Sequence, residues 1–357
     1  MAVDFFQQRT LQKIVHGLET PPSYLLKKFF GNVGYIDTPH FDIDVIPYEG
    51  RKLAPFVDPR SGGSLHYLDG FRMKNYRLAY IAPKIPLSGE DTFVRRPGEN
   101  IYQQFSPNER LQRDVAVSLR KLERLIARRE EYMAAQALFT GKIEVSIDGV
   151  NSYVNDFWSD YRETPDGTLS DDAPVASVTW TGASVTDILN SLDNQLDSVA
   201  EKTSLVPDFA LLGRTAAQTL LTQLAAEDAF ERKTIHFGDF DPAEHADGVR
   251  YLGTLRYPSL DLFTYNAKVI GPSSGALESL VPENQVLLGT IKAETSRVYG
   301  PVQVYDERNE SVWITGEARV PNSWVQRDEV AGRVVQLTSR VLLTVDQPEA
   351  FKVLTVS

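Results

Sequence analysis

The 357-residue chain contains no cysteine. Structural disulfides, thiolate metal sites, iron–sulfur clusters and a cysteine nucleophile are thereby excluded together. No apolar run approaches the roughly 18 residues that a membrane helix needs. The opening residues Met1-Ala2-Val3-Asp4-Phe5-Phe6 show no basic segment followed by an apolar stretch, so no secretory signal is expected. Neither G-x-G-x-x-G nor G-x-x-x-x-G-K-[ST] occurs, which removes the usual footholds of nucleotide chemistry. Positive charge is in deficit: 37 Lys and Arg stand against 48 Asp and Glu, a formal charge of −11. That balance argues against a surface that grips nucleic acid throughout, because phosphate binding is driven by clustered Lys and Arg. Apolar residues (42%) and charged residues (24%) are at globular levels. A chain of this length can bury one large core or two smaller ones. The expectation is a soluble, cytoplasm-made protein of mixed structure.

The strongest local signal runs from Ser106 to Gly141. Ser106-Pro107-Asn108-Glu109 has the form of a capping box, with a Ser N-cap, Pro at the first helical position and Glu three residues on. Leu111, Val115, Leu119, Leu122, Ile126, Met133 and Ala137 then recur at the spacing of one buried helical stripe. Gly141 suits a left-handed C-terminal cap. The spacing predicts a helix over about 107–139, on the order of 50 Å long. It carries seven basic residues (Arg110, Arg113, Arg120, Lys121, Arg124, Arg128, Arg129) among five acids (Glu109, Asp114, Glu123, Glu130, Glu131). Mixed signs at helical spacing read as a solvated face with i,i+4 pairs. A face lining a nucleic-acid compartment is the sharper alternative, and the small net positive charge does not demand it.

Ahead of this helix, residues 1–35 mix short apolar clusters with Pro21-Pro22 and read as an arm with little core of its own. Residues 43–93 are extended and mostly alternating, and too long for an ordinary loop. A projecting β-hairpin with Arg60-Ser61-Gly62-Gly63 at its tip is the economical reading. After the helix come a short strand at Lys142–Ile147 and an acidic, turn-rich segment, 156–182, read as a boundary or surface excursion. A mixed α/β block follows: helices around Val185–Val199 and 215–230, and strands at Phe209–Leu212, Tyr251–Leu255, Leu260–Tyr265 and Val286–Ile291. The last clear element is a long half-buried strand in which Val335, Leu337, Ser339, Val341, Leu343 and Val345 alternate with mostly polar residues.

Two constellations could carry chemistry. Gly271-Pro272-Ser273-Ser274-Gly275 matches the hydrolase pattern G-x-S-x-G after a strand-like stretch. The hydrolase order needs a later His, yet His16, His40, His66, His236 and His245 all precede it, so a plain turn is the better account. His236, Asp239, Asp241, Glu244 and His245 gather potential metal ligands, but match neither the calcium loop nor H-E-x-x-H. A solvated acidic loop explains them. No cofactor, metal or catalytic residue is assigned.

Arm, long hairpin, very long helix, mixed α/β block and long terminal strand, in that order, resemble the Hong Kong 97 phage capsid fold. Pro282-Glu283-Asn284, Leu288-Gly289-Thr290, Tyr299-Gly300, Ala318-Arg319-Val320-Pro321 with Trp324, and Gln347-Pro348-Glu349-Ala350-Phe351 are similar to the C-terminal third of the lambda-type major capsid proteins. Gly62-Gly63-Ser64, Pro83-Lys84 and Arg95-Arg96 resemble that family's E-loop. The resemblance implies an α+β, Hong Kong 97-like organisation. An N-arm would occupy 1–42 and an E-loop hairpin 43–100. A peripheral domain with a spine helix would take 101–182, an axial domain 183–325, and strands returning to the peripheral domain 326–357.

The function it implies is that of a tailed-phage head subunit that forms hexamers and pentamers around double-stranded DNA. Scaffolding and portal proteins, and in some shells a decoration protein, are the implied partners, with no membrane involved. Arg60, Gly62, Gly63, Lys84, Arg95 and Arg96 are the expected inter-subunit contacts, and no cross-link is assigned to Lys84. Ser106, Gly141, Arg319, Pro321 and Trp324 are expected to determine the fold. With no cysteine, such a shell would hold by interlocking hairpins and arms or by a helper protein, and a charge of −11 implies only weak contact with packaged DNA. An encapsulin-like nanocompartment and a monomeric hydrolase are the competing readings.

Overall fold

The computed structural model describes residues 11, 15, 23–45, 56, 72–88, 106–147, 150–162, 175–226, 235–236, 248–272, 274–306, 311–326 and 332–357. The chain divides into two compact units, each discontinuous in sequence. The first comprises 1–39, 77–135 and 295–344; the second comprises 40–76, 136–294 and 345–357.

The first unit is built on the strand Gly332–Val345, which is not half-buried as its alternation suggested: 337–339 and 341–345 are buried in succession, so both of its faces are covered there. It lies in a six-stranded sheet. Val320–Gln326 runs antiparallel along one edge of its first half. Lys84–Ser88 and Ala79–Ile81 run antiparallel along it in succession. Asn32–Tyr35 adds a parallel pairing with Thr295–Tyr299. The helix Pro107–Thr140, within one residue of the predicted bounds, begins in this unit. Its stripe Val115, Leu119, Leu122 and Ile126 packs with Val335 and Leu337 of the long strand and with Leu87.

The structure differs from expectation at the arm and at the hairpin. The arm does own part of the core: Leu11 and Val15 join that same cluster, and Leu25, Leu26, Phe29 and Phe30 are buried. Leu11 and Val15, Leu25 and Phe29, and Leu26 and Phe30 are each four residues apart, the spacing of a helical face, but the runs are short and Pro21-Pro22 separates them, so the pattern did not announce burial. Of the extended stretch read as one projecting hairpin, residues 79–81 and 84–88 are instead strands of the sheet. Their alternation, with Ala79 and Leu87 buried, is that of strands with one face on the core.

The second unit centres on a seven-stranded sheet. Its order is Ile235–His236, Val249–Leu255, Leu260–Tyr265, Phe209–Leu212, Gln285–Gly289, Lys352–Val356 and Val175–Val178. Phe209–Leu212 is parallel to its neighbour at 260–265 and antiparallel to 285–289. It is buried along its whole length, which explains its unbroken apolar run. The amphipathic helices Val185–Thr203 and Arg214–Ala226 share its core, through Ile188, Leu192, Leu196, Leu220 and Leu224. Trp180 is 0% exposed in that core. The segment expected to be a surface excursion therefore delivers one edge strand and a central aromatic. Its acids mask this in the sequence, because they cluster on the turn-rich stretch ahead of Val175.

Gly141 ends the long helix at φ +66°, where its carbonyl accepts the Phe157 amide at 2.9 Å. A Cβ there would lie 2.0 Å from the Trp158 ring. Gly275 has a similar φ of +64° but nothing within 4 Å of such a Cβ. Gly141→Ala is therefore expected to destabilise by about 2–5 kcal/mol, the left-handed penalty plus overpacking. Gly275→Ala should cost only the backbone part, about 1–2 kcal/mol. Urea unfolding of the two variants isolates the Trp158 contact; equal losses would show that the ring moves aside freely.

Candidate functional site

Among the described residues, the most concentrated chemistry is a set of buried carboxylates on the long helix of the first unit. The helix is launched by Ser106, whose amide and hydroxyl donate to Glu109 Oε2 at 2.8 and 2.9 Å, while the Glu109 amide donates back to Ser106 Oγ at 3.3 Å. These bonds, the backbone one foremost, pull the Glu109 carboxyl below its ordinary value. Farther along, Glu123, Glu130 and Glu131 lie inside the protein; Glu130 is 1% exposed.

Arg319, just ahead of the strand Val320–Gln326, holds the first two. Its Nε donates to Glu123 Oε2 at 2.8 Å and Oε1 at 3.1 Å. Nη1 and Nη2 form a two-pronged pair with Glu130 Oε1 and Oε2 at 2.7 and 2.8 Å. Nη1 also donates to the Ala318 carbonyl and to Ser339 Oγ. The fork of a guanidinium suits this arrangement, since its planar donors match two carboxylates at once. Burial pushes the Glu123 carboxyl up, with Arg319 opposing it. Burial, then the Glu130 charge, pushes the Tyr299 phenol up to about 12, so Tyr299 stays protonated beside the guanidinium.

Glu131 does a different task. The arm helix Tyr24–Lys28 has Ser23 at its N-cap, yet the Ser23 side chain makes no capping bond. Instead the Leu25 and Leu26 amides donate to Glu131 Oε1 and Oε2 at 2.8 and 3.1 Å. A carboxylate from the long helix thus satisfies amides that the first turn of any helix leaves open. Arm, long helix and late strands are tied together within one unit by fixed charges. Nothing in this geometry presents an attacking atom to a substrate; it is a lock.

Of the residues singled out in the sequence, Arg60, Gly62, Gly63, Arg95 and Arg96 lie outside the described residues. Lys84 is exposed at the start of its strand, opposite Gln336. Pro321 is buried opposite Leu337, in a strand at the end of the sheet order where a missing N–H is tolerated. Trp324 is half-buried opposite Val334. Only Arg319 enters the charge lock. The sequence reading missed Glu123, Glu130 and Glu131, which it placed on a solvated face. One signal was there: Glu123 and Glu130 are seven residues apart, flanking Ile126 on the edge of the apolar stripe. The G-x-S-x-G match lies in a hairpin, joining Lys268–Ile270 to Leu277–Ser279, with Ser274 bonded to Glu278. A nucleophile elbow needs strand-to-helix, so the hydrolase pattern is a turn; Ser273 itself lies outside the described residues. Of the acidic cluster only His236 falls among them.

Residues 7–356 match the family described as phage major capsid protein E. The chain belongs to that family. The major capsid protein of Escherichia phage lambda is 22% identical over 302 residues, 84% of each chain. That of Enterobacteria phage P21 is 22% identical over 305 residues, 85% of each. Among solved structures, the putative capsid protein of a prophage of E. coli CFT073 superposes with a TM-score of 0.67, at 17% identity, covering 98% of this chain and 99% of that one. The capsid structure of cyanophage P-SCSP1u gives 0.50 at 10% identity over 96% and 90%. The protein therefore has the Hong Kong 97-like capsid fold with mixed α/β topology, and its family is structural rather than catalytic.

Proposed function

We propose that the chain is the major head subunit of a tailed double-stranded DNA phage, assembling through hexamers and pentamers into an icosahedral shell around the genome. The match to the phage major capsid protein E family over nearly the whole chain carries this reading. A shell subunit works by geometry, closing rings through repeated self-contacts, and many modest contacts add up. The charge lock fits that work, since it gives each copy a stiff helix and a fixed arm helix on which to repeat the same interface. In this reading residues 1–42 are the N-arm, the part of 43–100 outside the sheet strands 79–81 and 84–88 is the E-loop, and 107–139 is the spine helix. The first unit, which holds 295–344, is the peripheral domain and the second, which holds 345–357, the axial domain, so the bounds 183–325 and 326–357 expected from the sequence move accordingly. Arg60, Gly62, Gly63, Lys84, Arg95 and Arg96 then face neighbouring subunits. Scaffolding and portal proteins, and in some shells of this kind a decoration protein, act on the same shell, which forms in the host cytoplasm and ends in the virion.

Electron microscopy of the purified chain, after size exclusion, tests this. Closed particles with five- and sixfold capsomers are expected, and their denaturing gel should show a single band without a covalent ladder. A stable monomer that never assembles would sink the reading. Shells that enclose protein cargo and no nucleic acid would move the chain to the nanocompartment class.

A further inference from the structure

The long helix sorts its charges by side. Between Arg113 and Arg128 the acids are Asp114, half-buried, and Glu123, buried against Arg319. The cations Arg113, Arg120, Lys121, Arg124 and Arg128 are all exposed. At 3.6 residues per turn they fall within roughly 100° of the circumference, on a face about 22 Å long. Summing charges along the helix gave almost nothing; summing those that reach water on this face gives only positive ones. Farther along, Glu131 would return to the same side, but it is turned inward under the arm helix.

We propose that this face, centred on Arg120, Lys121, Arg124 and Arg128, is a docking surface for the phosphate backbone of nucleic acid. Four of the five cations fall within the nine residues from Arg120 to Arg128, so consecutive turns there each present at least one to a repeating polyanion. Guanidinium groups predominate, and they match phosphate oxygens in pairs. A folded protein partner would need a desolvated aromatic or aliphatic anchor. Here Val117 and Leu125 are the exposed apolar side chains, two turns apart, and no aromatic stands between Arg113 and Arg128. The overall charge of −11 does not cancel the face, because screening confines each charge to about 8–10 Å at ordinary salt. Contact per copy is weak, and an array of copies multiplies it. The proposal rests on the shell reading only for where the nucleic acid comes from; the electrostatics belong to the helix alone.

The test uses the full chain, fractionated as unassembled subunits, with a labelled 30-base-pair DNA duplex and with polyglutamate as separate probes. The variant is Arg120→Gln with Lys121→Gln, Arg124→Gln and Arg128→Gln; Arg214→Gln with Arg250→Gln, Lys268→Gln and Lys292→Gln removes four exposed cations elsewhere and so matches its net charge. All these side chains are exposed, and an unchanged unfolding midpoint checks that folding is kept. Wild type and control should bind the duplex with a log–log salt slope of about −3 to −4, losing about a hundredfold in affinity between 50 and 200 mM salt. The quadruple variant should bind at least tenfold more weakly at 50 mM, with a slope near zero. Binding by the variant equal to wild type overturns the proposal. Tight binding of polyglutamate without binding of DNA also overturns it and assigns the face to an acidic protein chain. Electron microscopy of the same preparations reads assembly separately: loss of DNA binding in the variant supports the face even where no shell forms, a result that would count against the shell reading alone.

Discussion

Replacing Arg319 with methionine is expected to destabilise the first unit by about 3–5 kcal/mol, the cost of leaving buried carboxylates without their cation. Glu123 and Glu130 are both buried, and the guanidinium is 2.7–2.8 Å from each. Lysine should recover only part of the loss, because a single ammonium cannot reproduce donors to both carboxylates and to Ser339. The triple change Glu123→Met, Glu130→Met and Arg319→Met should recover most of it, since apolar packing of similar volume removes the desolvation problem altogether. Urea unfolding of the three variants decides; a single-variant loss below about 1 kcal/mol would mean that water reaches the carboxylates and the lock is not closed.

The same variant has a signed pH dependence. Burial already pushes the Glu123 carboxyl above its ordinary value of 4.5, with Arg319 pulling the other way. A group whose folded value lies above its unfolded value contributes stability that is complete below the unfolded value and lost as pH rises through the folded one. Removing Arg319 widens that gap. The deficit of Arg319→Met relative to wild type should therefore shrink as pH is lowered from 7 toward 4. A deficit that grows over that range would contradict the assignment of Glu123 as the buried, uncompensated acid.

What the sequence could tell depended on whether one segment carried its own explanation. The helix Pro107–Thr140 and the strand Gly332–Val345 were readable because each repeats its apolar residues at its own period and is bounded by its own caps or turns. The charge lock was not, because Arg319 meets Glu123 and Glu130 across 196 and 189 residues. A local reading sees Glu beside Arg at helical spacing and assigns both to water; here Glu123, Glu130 and Glu131 face inward while Arg120, Lys121, Arg124 and Arg128 face outward. Trp180 and the arm residues were missed for a related reason. Trp180 stands alone, and the helical spacing of the arm residues spans too few turns to mark a buried face, while the partners of both lie far along the chain. The family resemblance supplied the order of elements, while only the folded structure supplied the side each charge takes.

Glu131→Gln is expected to loosen the arm without unfolding the unit. The carboxylate offers one oxygen to each of the Leu25 and Leu26 amides. An amide side chain keeps one acceptor and turns an N–H toward the other donor, so one charge-assisted bond is lost and a buried N–H is left open. That change is worth about 1.5–3 kcal/mol, or roughly a ten- to hundredfold rise in local opening. Hydrogen exchange at Leu25, Leu26, Phe29 and Phe30 should accelerate by that factor, while the central amides of the long helix keep their protection. The arm should stay docked on average, because Leu25, Leu26, Phe29 and Phe30 remain buried apolar anchors. Glu109→Gln is the matched control: it removes a carboxylate from the same helix, but an exposed one that serves only its own N-terminus. Equal exchange in wild type and Glu131→Gln would mean that the apolar anchors alone hold the arm. In that case the carboxylate would be buried to fix which residues of the arm sit over the helix, and a shift of that register, read by cross-linking, would be its remaining signature.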